Sequence, residues 1–148
     1  MERGVPLMRR LLALLLLLTT VSADARDLVL VVRGDSPVIE MDSLTVRKLF
    51  MGFTVTAGSQ PLHAIRLGGD SSLDSAFLQS VVGMSAAQYE RRLLRMALKQ
   101  GRAAPSIAET SAEVVGALRE DTRAVGCLWA DQIVGRSDLR IVRLLWRG

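Results

Sequence analysis

The sequence is poor in the residues that form covalent and metal cross-links. It has one cysteine, Cys127, and one histidine, His63, among 148 residues. A single cysteine excludes a disulfide within the chain, and a structural zinc site needs about four Cys or His ligands. The sequence also lacks a glycine-rich dinucleotide motif and a Walker loop. We therefore expect no metal and no cofactor.

Aromatic residues are also few, and neither sign of charge dominates. Aromatic side chains make up 4% of the chain and the formal net charge is +4. Few aromatic rings are available to stack on bases, so we do not expect nucleic-acid binding. Hydrophobic residues make up 49% of the sequence, which excludes a disordered chain and suits one domain of ordinary size.

The first 25 residues have the three-part pattern of a secretory signal peptide. Basic residues Arg3, Arg9 and Arg10 precede the apolar run 11–18, and small residues follow at Ala23 and Ala25. The apolar run is shorter than the roughly 17 residues that a membrane-spanning helix needs. We predict a signal peptide over residues 1–25, cleaved near Ala25, and an exported domain over residues 26–148. Cleavage after Ala23 is the alternative.

The rest of the chain alternates apolar strands and capped amphipathic helices. The run 28–32 suits a strand buried on both faces, as in a parallel sheet. Ser85 and Gln88 form a capping box before a long helix, and Thr110 and Glu113 form a second one. The pattern predicts the order βαβαααββ, an α/β domain in which helices cover a small mixed sheet. The expected strands are 28–32, 61–67, 125–129 and 139–145, and the expected helices start near residues 44, 72, 86 and 111.

One segment favours the binding of an anion. A strand ends at Arg66, a Gly-Gly turn follows, and a helix begins near Ser71 or Ser72. A helix start offers free amides and partial positive charge, the serines offer hydroxyls, and Arg66 offers a forked donor. Simple helix capping explains the same serines. Asp70 and Asp74 flank the helix start, suit its dipole themselves and repel a bound dianion.

Other candidate groups have ordinary structural explanations. His63 reads as a strand residue without a special role, and Cys127 as a buried structural thiol. A row of basic residues at nearly four-residue spacing predicts one basic helix face, which suits an acidic partner, a membrane surface, or plain solvation. These residues are Arg91, Arg95, Lys99 and Arg102.

Four blocks, taken in order, resemble one known family. They are residues 44–52, 66–77, 82–85 and 124–127. Together they resemble the phosphate-type periplasmic substrate-binding proteins of ABC transporters, most of all the short members with one small domain. The resemblance implies a type II periplasmic-binding-protein-like fold, of which this chain has length for roughly a single lobe. It also implies a periplasmic location for the domain after cleavage near Ala25.

The resemblance also implies site residues. Arg66 matches the family arginine, and Asp70, Ser71 and Ser72 occupy the places of a Ser-Gly-Thr motif. Glycine is missing there, and Cys127 stands where relatives carry tyrosine. The leading hypothesis is a non-enzymatic, exported solute-binding-like protein that holds a small oxyanion such as phosphate for an ABC transporter or sensor. The alternative is a ligand-free module that docks on a membrane partner through the basic row. A hydrolase that uses a serine and His63 is a third hypothesis, unsupported by a nucleophile elbow.

Overall fold

The structure, a computed structural model, describes residues 26–148, and the predicted signal peptide lies outside this range. Seven strands and four α-helices are found along this range. The strands are β1 (Leu28–Arg33), β2 (Thr56–Ala57), β3 (Gln60–Pro61), β4 (His63–Leu67), β5 (Ser106–Ala108), β6 (Ala124–Trp129) and β7 (Leu139–Trp146). The helices are α1 (Ser43–Phe50), α2 (Ser71–Phe77), α3 (Ala86–Gln100) and α4 (Ser111–Glu120). None of the helices described has the length and apolar character needed to cross a membrane.

Five strands form one mixed sheet in the order β5-β4-β6-β1-β7, which confirms the predicted fold class. Strand β4 runs parallel to β5 and β6, whereas β1 runs antiparallel to β6 and β7. Strand β1 is buried on both faces as expected, but the parallel surroundings inferred for it are wrong. Five successive residues of β1 are buried, so both faces of the strand are covered and a continuous apolar run is needed there in either orientation.

The helices begin within one residue of their predicted starts, although the cap of α2 is Asp70 and not Ser71 or Ser72. Asp42, Asp70, Ser85 and Thr110 each accept a hydrogen bond from an amide in the first helical turn. Ser85 and Gln88 form the complete capping box. The second predicted box is only half formed, because the Glu113 carboxylate accepts from the Glu109 amide instead of returning to the cap residue.

Four short elements differ from the sequence prediction. Strands β2 and β3 form a small separate hairpin, and β5 adds an edge strand beside β4. The helix predicted to start near residue 72 is α-helical only to Phe77 and continues as a π-helical turn over Leu78–Val82. These elements contain five residues or fewer, and periodicity carries little information over such lengths.

A single hydrophobic core joins the sheet to the helices. It forms one continuous cluster that extends from Leu28 to Leu139. The Phe77 ring stands between Phe50 and Tyr89, at centroid distances of 5.1 and 5.9 Å, and so links α1, α2 and α3. Residues 26–148 therefore contain a core of their own, and β4 and α2 are fixed against it.

Candidate functional site

The turn between β4 and α2 is shaped by close backbone contact. Gly69 passes so near the segment after β5 that a Cβ atom there would lie 1.8 Å from the Glu109 carbonyl oxygen. Only glycine permits this approach without moving the backbone. The turn brings the end of β4 directly to the start of α2, as the sequence predicts.

Arg66 lies inside the protein, in contact with a carboxylate. Its side chain is 9% exposed, and its Nη2 and Nε atoms donate to Oδ1 of Asp74 at 2.6 and 3.0 Å. Its guanidinium carbon also lies 4.8 Å from the ring centre of Tyr89 and 5.4 Å from that of Phe77. Cation–π contact and the ion pair both stabilise the buried cation. The positive charge of Arg66 is therefore balanced by the chain itself.

Asp70 occupies the start of α2. Its Oδ1 accepts from the Leu73 amide at 3.0 Å, and its Oδ2 accepts from the Trp129 indole Nε1 at 2.9 Å. Partial burial acts to raise the pKa of Asp70, but the hydrogen bonds from Leu73 and Trp129 and the nearby charge of Arg26 outweigh it and lower that pKa. A carboxylate of the protein thus already lies where the free amides would attract an anion.

Ser71 and Ser72 lie apart from Arg66. Both are exposed on the first turn of α2 and line an open groove of about 380 Å³. The other lining residues are Ser75, Ala76, Gln79 and Trp146. The groove is rich in hydroxyl groups and has no charged lining residue. The four predicted residues share one strand–turn–helix unit, but Arg66 is not part of this groove.

His63 and Cys127 lie outside this unit. The His63 Nε2 atom is 2.7 Å from the Ser106 hydroxyl, across the edge of the sheet, and both residues are exposed. No carboxylate within residues 26–148 forms a hydrogen bond to the other ring nitrogen, and such a group is what orients the base of a Ser-His-Asp triad. Cys127 is fully buried in β6, and this burial raises the pKa of its thiol.

Helix α3 carries the basic row on its outer side. Arg91, Arg95 and Lys99 are exposed and, in the described part of the chain, form no salt bridge. Arg102 belongs to the row in sequence only, because it follows the helix and stacks on Phe53 with its guanidinium carbon 4.9 Å from the ring centre.

Two leucines beside the basic row were missed by the sequence analysis. Leu94 and Leu98 are 61% and 78% exposed, although both belong to an otherwise well-packed helix. Their four-residue spacing on one helix was a sequence signal for a second apolar strip, on the side of α3 opposite the buried strip of Tyr89 and Met96.

No group of three potential ligands among residues 26–148 lies close enough to hold a metal ion. The arrangement at β4 and α2 is instead that of an ion pair beside a capped helix. Its charges and helix cap are satisfied by groups of the chain itself. The hydroxyl-lined groove beside it is open to solvent.

The sequence matches no protein-family model and no curated protein. Solved structures show what fold it shares. An ABC-type phosphate transport receptor from Vibrio cholerae aligns over 80% of this chain and 46% of its own, at 12% identity and a TM-score of 0.58. A putative phosphate ABC transporter substrate-binding protein with bound phosphate from Clostridium perfringens aligns over 80% and 45%, at 14% identity and a TM-score of 0.61. PstS from Borrelia burgdorferi aligns over 80% and 47%, at 10% identity and a TM-score of 0.59.

At these identities the likeness concerns the fold. Residues 26–148 have the fold of a periplasmic-binding-protein-like domain. The chain spans less than half the length of each of these three proteins.

Proposed function

We propose that this chain is an exported, non-enzymatic domain of solute-binding type that docks on a membrane partner, either a transporter or a sensor. The observation that carries the proposal is the pairing of Arg66 with Asp74, which leaves the buried cation already neutralised. Asp70 adds a second internal carboxylate at the start of α2. An oxyanion bound at the start of α2 would compete with Asp74 for Arg66 and with Asp70 for the backbone amides.

Export rests on the sequence of residues 1–25, which has the charged, apolar and small-residue parts of a signal peptide. We propose a periplasmic location for the domain after cleavage near Ala25. The similarity in fold to binding proteins of ABC transporters supports this location.

Docking through α3 is the second part of the proposal. Arg91, Arg95 and Lys99 form a row of exposed cations without intramolecular partners in the described range. Such a row attracts an acidic surface and raises the rate of encounter with it.

A second candidate function is the binding of a small oxyanion such as phosphate at Arg66, Asp70, Ser71 and Ser72. The phosphate-binding proteins that share the fold favour it, one of them solved with bound phosphate. It requires that Asp74 release Arg66, or that the Asp70 carboxylate accept a hydrogen bond from the hydroxyl of a protonated phosphate.

Thermal unfolding of residues 26–148 against phosphate and sulfate separates the two functions. A ligand at about 100 times its Kd stabilises by roughly 2.7 kcal/mol, which raises Tm by about 10 °C. We expect no shift for the unmodified protein. A shift that Ser71→Ala with Ser72→Ala abolishes, while the exposed control Ser137→Ala does not, would establish the oxyanion function and contradict docking without a ligand.

Docking is tested with membranes of the producing cells. The unmodified domain should co-purify with a membrane component, and reversal of Arg91, Arg95 and Lys99 to Glu should abolish that co-purification. A triple reversal to Glu at Arg123, Arg136 and Arg147, which lie outside the helices and strands, gives the same net charge and should retain it. Equal loss in both variants would contradict docking through α3.

A further inference from the structure

We infer that the outer face of α3 binds the surface of an anionic lipid bilayer directly, with Leu94 and Leu98 entering the interface and the basic row contacting lipid headgroups. This inference rests on the proposed docking at a membrane, and it replaces the protein partner at α3 by the lipid bilayer itself. It adds the two leucines, which the docking proposal does not use.

The outer face of α3 carries apolar and cationic residues side by side, although both kinds are exposed to solvent. Successive residues of a helix are turned by about 100°, so residues four apart lie nearly in line. Leu94 and Leu98 form one such line. Arg91 and Arg95 form the next line, and the opposite side of α3 packs Tyr89 and Met96 into the protein. An apolar strip thus runs directly beside a cationic strip on solvent-facing surface.

The charges on this face are free to meet an external partner. All five arginines that form salt bridges in the described range lie outside α3, such as Arg33 with Asp35 and Arg119 with Asp138. The cations of α3 have no such carboxylate. Glu90 is the one acidic residue of the helix, against four basic residues: Arg91, Arg92, Arg95 and Lys99.

A lipid surface fits this face better than a folded protein does. A stable protein interface buries about 800 Å² on each side and needs matching shape. The face of one 15-residue helix with two exposed leucines is narrow and convex. An interfacial helix needs only apolar side chains at the acyl boundary and Lys or Arg near the headgroups, since lipids adapt to its shape. Each basic residue near an anionic surface contributes about fivefold in partition.

The experiment is co-sedimentation of residues 26–148 with vesicles. One set contains two parts phosphatidylcholine to one part phosphatidylglycerol, and the other contains phosphatidylcholine alone. We expect binding to the anionic vesicles, at least tenfold stronger than to the neutral ones and weakened by added salt. Equal binding to both sets, or binding to neither, would overturn the inference.

Variants assign the binding to α3. Arg91→Glu with Arg95→Glu, and separately Leu94→Ser with Leu98→Ser, should each weaken partition at least tenfold. All four side chains are exposed, and circular dichroism checks that the variants stay folded. Arg136→Glu with Arg147→Glu has the same net charge as the first variant and should change partition less than about threefold. An equal loss in this control would mean that net charge, and not the α3 face, binds the vesicles.

Calorimetry with phosphate on the same samples keeps the two proposals apart. Phosphate uptake by a protein that also binds vesicles would contradict the proposed function and leave the lipid contact standing. Binding of an acidic membrane protein without binding to vesicles would overturn the lipid contact and leave the docking function standing.

Discussion

Removal of the Asp74 carboxylate should destabilise the domain by about 3 kcal/mol. Loss of one partner from a fully buried pair costs roughly 3–5 kcal/mol, because a charge is left without compensation. The side chains of Arg66 and Asp74 are 9% and 24% exposed, so some water reaches the Asp74 side and the lower end of that range applies. For a domain of this size the expected fall in Tm is about 10 °C.

Urea unfolding of Asp74→Ala, followed by circular dichroism, measures this cost. Asp138→Ala is the matched control, because it removes the carboxylate of an ion pair whose side chains are 48% and 43% exposed. An exposed pair contributes about 0–1 kcal/mol. Replacement of both buried partners, as Arg66→Met with Asp74→Leu, should recover most of the loss. Equal small losses for Asp74→Ala and Asp138→Ala would refute the conclusion that Arg66 depends on Asp74.

Three further predictions concern single positions. Gly69→Ala should lower the free energy of unfolding by about 3 kcal/mol, measured with urea, because its Cβ would meet the Glu109 carbonyl. Gly116→Ala, in open space on α4, should raise that free energy by about 0.5–1 kcal/mol. Cys127 should resist a thiol reagent until the protein unfolds, since burial raises its pKa; rapid native labelling would contradict this. Asp70 has a lowered pKa, so its carboxylate stabilises the folded state above its unfolded pKa near 3.8, and this stabilisation is lost as pH falls below about 4. Asp70→Asn should therefore make the free energy of unfolding depend less on pH in that acid range.

Most helices and strands of the fold could be predicted from short sequence patterns. Helix caps such as Ser85 depend on residues three positions apart, so the sequence contains the whole motif. Strand β5 is different, because three residues form a strand there only through pairing with β4, far away in the chain. The direction of β1 relative to β6 is likewise a property of the topology, and an apolar run does not encode it.

The positions of the candidate site residues in the fold could be predicted from the sequence, but the contacts between their side chains could not. Arg66, the Gly-Gly turn and the start of α2 are where the sequence places them. The sequence places the negative charge of Asp74 near the start of the helix. Its role as the partner of Arg66, however, depends on the inward rotation of both side chains. That rotation brings Arg66 against Tyr89, a residue 23 positions further along the chain, and no local pattern reports such a contact.

The dielectric surroundings of the two cationic regions explain why we favour docking over capture of an anion. A charge pair 4 Å apart is worth about 1 kcal/mol in water and about 4 kcal/mol near a protein surface of lower effective dielectric. The groove at Ser71 and Ser72 is open to solvent, so an oxyanion bound there by these residues alone would gain little. Arg66 lies in the low-dielectric region, but Asp74 already provides its anion. The cations of α3, by contrast, have no partner within residues 26–148, and a large anionic surface would engage several of them at once.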